Sequence, residues 1–377
     1  MAKMRLRRRW SKQLLCALSV ALASVFVTAG EGRAASPNLP PGVSVIASTV
    51  PANGDVNPYG LVVVPATVGN LTAGHFLVSN FNNSQNLQGT GTTIMDIAPD
   101  GSTSVFSQFS SYHLPGFCPG GIGLTTALAV LQTGWVIVGS LPTVNGMSAT
   151  AQAGCLVVIN SSGKPVGTFY GSLINGPWDM TVLDQGSQAT LFFTNVLNGT
   201  VAANGNVVHG GTVVRMVLNI PTNSHPQIES MTVVGSGFSE RTDPAALVIG
   251  PTGVGLSGTT LYVADSLNNR VMAIANATTI TSTAGTGTVF SHGGFLNDPL
   301  GLTIDPSTGN VLVTNGNNGV LITIDPSGTQ IQHDLIDNTG SPPGNGTLFG
   351  LVSVPGTGVY FVDDGSNTLN LFQPTGD

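Results

Sequence analysis

The sequence predicts an all-β chain made of six repeats of four short strands, and three observations carry that expectation. Glycine supplies 50 of 377 residues, and short β-rich runs bounded by Gly, Asn, Asp and Pro corners take the place of any sustained helical periodicity. A short lead phrase, usually opened by Pro, recurs along the chain. After each phrase a second apolar run ends in a polar corner. Four strands per repeat, six times over, describe a six-bladed β-propeller whose blades are four-stranded antiparallel sheets. A parallel β-helix is the architectural alternative, but its repeats are much shorter.

The lead phrases are Pro58-Tyr59-Gly60-Leu61, Pro119-Gly120-Gly121-Ile122, Pro177-Trp178-Asp179-Met180, Pro244-Ala245-Ala246-Leu247, Pro299-Leu300-Gly301-Leu302 and Leu348-Phe349-Gly350-Leu351, with steps of 61, 58, 67, 55 and 49 residues. Proline lacks a backbone donor and suits the first residue of a strand. A small third residue lets backbones approach where innermost strands converge. The second runs end at Asn80, Ser140, Asn195, Asp265, Asn315 and Asp363. Third and fourth strands follow, as in Thr93–Ile97 and Thr103–Phe106. Blade three carries insertion-like stretches at 201–211 and 221–226, expected as long hairpin loops.

The ends of the chain predict how the ring closes. The last repeat has room for three strands, and Val43–Ser48 precedes the first phrase without a partner. As the outer strand of the last blade it would remove an exposed edge. Residues 43–377 are therefore expected to form a single propeller, with a Pro-rich linker at 36–42. Residues 1–35 read as an export signal: Lys3, Arg5, Arg7, Arg8, Arg9 and Lys12, then an apolar run from Leu14 to Ala29, then small residues. Both a twin-arginine and a general secretory route fit the Arg-rich start. Either places the mature chain in the periplasm or outside the cell, with no membrane anchor.

Beyond that leader the cations are Lys164, Arg215, Arg241 and Arg270, set against seventeen acidic residues, for a net charge of −13. No basic footprint exists to neutralise phosphates, which excludes a nucleic-acid partner. Charges make up only 8% of residues, so the surface is wetted mainly by neutral polar groups. Such a surface suits an acidic extracytoplasmic medium and equally a neutral one. Cys118 and Cys155 remain after the leader, a pair that permits one disulfide in an exported chain. Sequons begin at Asn70, Asn82, Asn160, Asn198, Asn276 and Asn345, and matter only in a glycosylating host.

The phrase Leu261-Tyr262-Val263-Ala264-Asp265-Ser266-Leu267-Asn268-Asn269-Arg270-Val271 resembles the central phrase of NHL repeats, the blade units of a β-propeller family. The resemblance is strongest over blades four to six and extends at a distance to the gluconolactonase and TolB-like propellers. It implies the fold. It does not imply one function, since related propellers include lyases, lactonases and pure binding modules. The gluconolactonase family holds a channel metal with an early-strand Glu plus Asn and Asp. Asn195, Asn315 and Asp363 match part of that set, but the mature chain has only Glu229 and Glu240, neither in an early blade.

In a propeller the lead loops and second-strand corners share the rim of the central channel. Asn80, Ser140, Asn195, Asp265, Asn315 and Asp363 then form a ring of oxygen donors, and Asn80, Asp265 and Asp363 could hold a divalent cation such as Ca²⁺. The alternative is that each side chain caps its own corner. His113, His209 and His292 fall in loops on the same rim and could bind Zn²⁺, or could simply be solvated. Tyr59, Trp178, Phe295 and Phe349 would line the rim, with Asp179 beside Trp178 pointing to the channel; Trp178 and Phe349 fit alternatively as wedges between neighbouring blades, the reading preferred for Phe349. Arg270 is placed to pair between blades. The candidate ligand contacts are Tyr59, Trp178, Asp179, Asn195, Asp265, Asn315 and Asp363. The reading is a monomeric exported module that binds a small molecule, peptide or protein at the channel mouth. A metal-dependent lyase- or lactonase-type propeller is the alternative.

Overall fold

The computed structural model describes residues 39–110 and 114–374; the expected export signal at 1–35, residues 36–38 of the expected linker and His113 lie outside the described residues. Six antiparallel sheets follow one another along the chain. Blade one is Val56–Val63, Phe76–Asn82, Thr93–Ile97 and Thr103–Gln108; blade two is Leu124–Val130, Val136–Ser140, Cys155–Ile159 and Pro165–Phe169. Blade three is Pro177–Asp184, Gln188–Asn195, Val208–Asn219 and Gln227–Asp243, with Leu247–Ile249 as a fifth strand. Blade four is Pro251–Ser257, Thr260–Asp265, Arg270–Ile274 and Thr288–His292, and blade five is Pro299–Ile304, Val311–Asn315, Val320–Ile324 and Gln330–Leu335. Blade six is Leu348–Val354, Gly358–Asp363 and Thr368–Phe372, completed by Val43–Ser48, which pairs antiparallel with Thr368–Phe372. This is a six-bladed β-propeller closed by an N-terminal strand. Cys118 and Cys155 are joined by a disulfide that ties the loop before blade two to its third strand.

Each interface between neighbouring blades is a small core of its own, which explains the unbroken apolar runs of the second strands. In blade three, Leu191 and Phe193 face blade two, packing with Ile137, Leu156 and Val158. Phe192 turns the other way, onto Val254, Leu261 and Val263 of blade four. Both faces of the strand are covered, so alternation of side chains does not become alternation of polarity. Blade six repeats the pattern: Val359 and Phe361 pack toward blade five, and Tyr360 and Val362 toward blade one.

The innermost strands are also stapled to one another by hydroxyls. In three blades the residue before the polar corner is Ser79, Thr194 or Thr314. Its hydroxyl accepts the N–H of Gly60, Asp179 or Gly301 in its own blade. It donates to a carbonyl of the next blade, at Thr125, Thr252 and Phe349 respectively. Glycine in the lead phrases serves the same contact. A Cβ at Gly350 would collide with the Tyr59 carbonyl oxygen, so the small third residue is a requirement of blade approach.

Two lead phrases fall elsewhere than the sequence predicts. Blade two begins at Leu124, and Pro119 lies in the disulfide-tied loop before it. Blade four begins at Pro251-Thr252-Gly253-Val254, where Pro251 pairs with Asp265 as Pro299 pairs with Asn315. Pro244 belongs instead to the connection between the long fourth strand of blade three and its added fifth strand. The expected loop at 201–211 contains a one-turn helix, Thr200–Ala203, and the start of a 12-residue strand. Its 17-residue partner, Gln227–Asp243, overruns the blade and carries the connection across the channel mouth. There Gln88 of blade one donates from Nε2 to the carbonyls of Pro244 and Ala245, at 3.1 and 3.2 Å.

Candidate functional site: the channel mouth

The six polar corners are equivalent, as the sequence alignment places them: five pair with the residue that opens their blade's first strand, and Asn80 pairs with Pro58, two residues into blade one. Their side chains are taken up locally. Asn195 Oδ1 accepts the N–H of Gly176 at 2.7 Å, and Asn315 Oδ1 that of Asn297 at 3.0 Å. Asp363 Oδ1 accepts the N–H of Ser366 at 3.1 Å, and the Ser140 hydroxyl bridges Gly123 N–H and the Gly121 carbonyl. Asp265 is fully buried against Arg270, with Nε to Oδ2 at 2.7 Å, and against the Asn268 amide. Arg270 therefore pairs inside its own blade, on the adjacent strand, and not between blades. Asn80 donates to the Thr49 carbonyl, leaving its Oδ1 buried without a partner.

A divalent cation is not suited by this arrangement. Both carboxylate oxygens of Asp265 and Oδ1 of Asp363 already accept hydrogen bonds, and the Asp265 carboxylate is neutralised by Arg270. No group of three or more His, Cys, Asp or Glu converges to hold a metal among the described residues. His292 is exposed on the outer strand of blade four, and His209 contacts Ser239 at 3.2 Å. Phe295 is exposed and stacks on His333 of blade five at 3.7 Å, away from the mouth. Glu229 is an exposed outer-strand residue bonded to Gln188. Glu240 is fully buried beneath the blade-three extension, where its Oε1 accepts the N–H of Asn198.

On the axis the lead phrases build a plug. Tyr59 stacks on Phe349 with ring centroids 3.9 Å apart and on Phe81 at 4.5 Å, and Trp178 and Leu300 close the same cluster. All four plug residues are 4% exposed. The plug separates two spaces that share no lining residue. Below it the inner strands enclose about 240 Å³, with Asp179 among the lining residues. Asp179 stands where four other blades carry Gly, and its Oδ2 accepts the N–H of Val254 in blade four at 2.8 Å. Burial pushes its carboxyl up to about 7.

Above the plug lies the larger space, a cavity of about 870 Å³ open at the mouth. Tyr59, Leu300 and Phe349 are among its lining residues, and the blade-three extension contributes Arg241, Asp243, Ala245, Ala246 and Ile249. Asn57, Asn82 and Gln88 come from blade one, Asp298 from the turn before blade five, and Asp364 from the blade-six corner. Of the seven sequence-predicted ligand contacts, Tyr59 lines this cavity. Trp178 is held in the plug, Asp179 lies below it, and Asn195, Asp265, Asn315 and Asp363 are tied into their corners. The cavity is lined instead by residues beside those positions, such as Asp364 next to Asp363 and Gly316 next to Asn315.

The acids of the cavity are electrostatically unusual. Burial, aided by the neighbouring carboxylates of Asp363 and Asp337, pushes Asp364 up to about 8. Burial and the nearby Asp243 push Asp298 up to about 6, against the opposing pull of Arg241. Arg241 itself is paired with Asp243 at 2.7 Å. Asp298 and Asn57 both adopt positive φ, +57° and +63°, immediately before the lead-phrase prolines Pro299 and Pro58. Asn and Asp tolerate that conformation better than other non-glycine residues. These residues were not singled out from the sequence. Their signal is scarcity, because Arg241, Asp243 and Asp298 are among very few charges and flank lead-like prolines.

No family model matches the chain, and no curated protein matches it. Solved structures do resemble it. A calcium-binding protein, regucalcin, from Agrobacterium tumefaciens aligns with a TM-score of 0.54 at 14% identity, covering 87% of this chain and 95% of that one. A gluconolactonase from Xanthomonas campestris aligns with a TM-score of 0.50 at 15% identity, covering 91% of this chain and 99% of that one. At such identities the likeness carries the six-bladed propeller fold and nothing finer.

Proposed function

We propose that the protein is an exported propeller that acts as a binding module, taking a small molecule or a peptide segment into the cavity above the plug. The observation that carries this reading is the cavity itself. It is concave, about 870 Å³, floored by Tyr59, Leu300 and Phe349 and walled mostly by polar and charged side chains from four blades and one inserted hairpin. A concavity of that size is within the usual range of a ligand site, and its mostly polar wall favours a polar or charged ligand. The basic and apolar leader supports export. A channel-metal enzyme reading finds little support in the corners, where Asp265 is paired with Arg270 and the Asn195 and Asn315 side-chain oxygens accept loop N–H groups.

The test is a thermal-shift and calorimetric screen of chemically diverse small molecules and short peptides, run on the wild type and on Ala245→Trp. Ala245 is an exposed lining residue of the hairpin, so an indole there fills the cavity without touching a blade core. Compounds that saturate the wild type and lose binding to Ala245→Trp are the expected result. Binding that is indifferent to this substitution would contradict the reading.

A further inference from the structure

We infer that the ligand of the mouth cavity is an organic cation, one that presents ammonium or guanidinium donors. The inference rests on the binding-site reading above and adds the chemical class. Three observations lead to it.

The first is an imbalance of acceptors over donors. Asn57, 8% exposed, and Asn82, 2% exposed, both line the cavity, and the side-chain Oδ1 of each is buried without a hydrogen-bond partner. Gln88 Oε1 is a third unpartnered acceptor on the same wall, its amide nitrogen being engaged by the hairpin carbonyls. Buried acceptors of this kind cost free energy until a donor reaches them. The second observation is charge. Asp243, Asp298 and Asp364 line the cavity against the single cation Arg241, which is already paired with Asp243. Around Asp364 the neighbouring ionisable groups are Asp363, Asp337 and the Tyr59 phenol. Around Asp298 they are Asp243 and Arg241. The surplus is acidic on both sides.

The third observation separates an organic cation from a metal ion. The carboxylates stand on three different elements: the blade-three hairpin, the turn before blade five and the blade-six corner. They do not converge as a metal-ligating group. A ligand that satisfies them must span the cavity, with separated positive ends and an apolar body. The floor suits that body, since Tyr59, Leu300 and Phe349 give the cavity an apolar base between the carboxylates. Protonated amines meet both demands, because each ammonium brings three donors and no acceptor. Such a ligand would also favour the ionised form of Asp364 at neutral pH, and of Asp298 nearer pH 6, so binding would release protons from the protein.

The ammonium could belong to a polyamine or to a Lys- or Arg-bearing peptide. The experiment is isothermal titration of the full-length protein with spermidine, with an arginine–lysine dipeptide, with the neutral polyol sorbitol and with citrate, in two buffers of different ionisation enthalpy. Spermidine, the dipeptide or both are expected to bind with proton release. Asp298→Asn and Asp364→Asn are each expected to weaken that binding by about tenfold. Because these acids are desolvated, the amides should preserve or raise thermal stability, which separates lost binding from lost fold. Binding by the dipeptide alone assigns the ammonium to a peptide, and by spermidine alone to a free amine. Saturable binding of sorbitol or citrate without either cation would overturn the inference and leave the binding-module reading standing. No binding of any of the four overturns the inference, and the broader compound screen then decides the module reading separately.

Discussion

At the scale of single residues, Asp179 shows how a position can be conspicuous in the sequence and differently employed in the structure. The sequence marks it because it replaces the small third residue of a lead phrase. In Gly60, Gly253, Gly301 and Gly350 that residue lets one inner strand lie against the next. In blade three the carboxylate makes the approach itself, by accepting the Val254 N–H. Removal of that acceptor leaves a buried donor unsatisfied. Asp179→Ala is expected to cost about 1–3 kcal/mol in urea unfolding. Asp179→Asn keeps an acceptor oxygen and sheds the desolvated charge, so its stability should match or exceed the wild type. Equal destabilisation by both substitutions would contradict the bridging role. The corner ring teaches the same lesson from the other side. Its six positions are legible by alignment, but which way each oxygen is turned depends on nearby N–H groups, such as Gly176 for Asn195, that only the folded loop supplies.

At the scale of elements, blade three is where the sequence pattern misleads. Pro244-Ala245-Ala246-Leu247 has the outline of a lead phrase, yet Leu247 carries a φ of +62° and its segment turns back onto Arg241–Asp243. Pro251-Thr252-Gly253-Val254 is the better match, with the Pro-x-Gly-apolar order of blades one and five. Counting from Pro251 makes the last two steps 48 and 49 residues, a regularity hidden when Pro244 is used. The extension that results is what gives the mouth cavity one of its walls. Its tip is held across the axis by Gln88. Gln88→Ala should therefore raise hydrogen exchange in residues 243–247 while shifting global stability by less than about 1 kcal/mol. Unchanged exchange at the tip would show that the hairpin holds its place without blade one. The closing strand, by contrast, was legible because Val43–Ser48 had no other partner and blade six lacked one strand.

At the scale of the whole molecule, several carboxyls are buried enough to hold their protons far above the unfolded range. Asp179 is pushed up to about 7, Glu240 to about 8, Asp298 and Asp363 to about 6, and Asp364 to about 8, burial being the main cause in each. Unfolded, these groups titrate near pH 4. Between that value and pH 8 the folded chain carries more bound protons than the unfolded one. Unfolding free energy therefore falls as pH rises through this window. Asp305 and Asp325 are shifted the opposite way by hydrogen bonds to their turns, and stability from them is lost only in stronger acid. Tm is expected to be about 5 °C or more higher at pH 5 than at pH 8.5. A Tm that climbs toward pH 8.5 would contradict this, and with it the suitability for an acidic medium that the sparse surface charge suggests.

The ligand site proposed for this molecule is the cavity above the plug. Amide hydrogen exchange, compared between the free protein and the protein saturated with a compound from the binding screen, locates that site directly. Protection is expected in residues 55–59 and 84–88, in the hairpin at 241–249, in 297–300, and around 345–350 and 364–367. Protection confined to the inner strands below the plug, or to the outer edges of the blades, would place the ligand elsewhere and contradict the central claim.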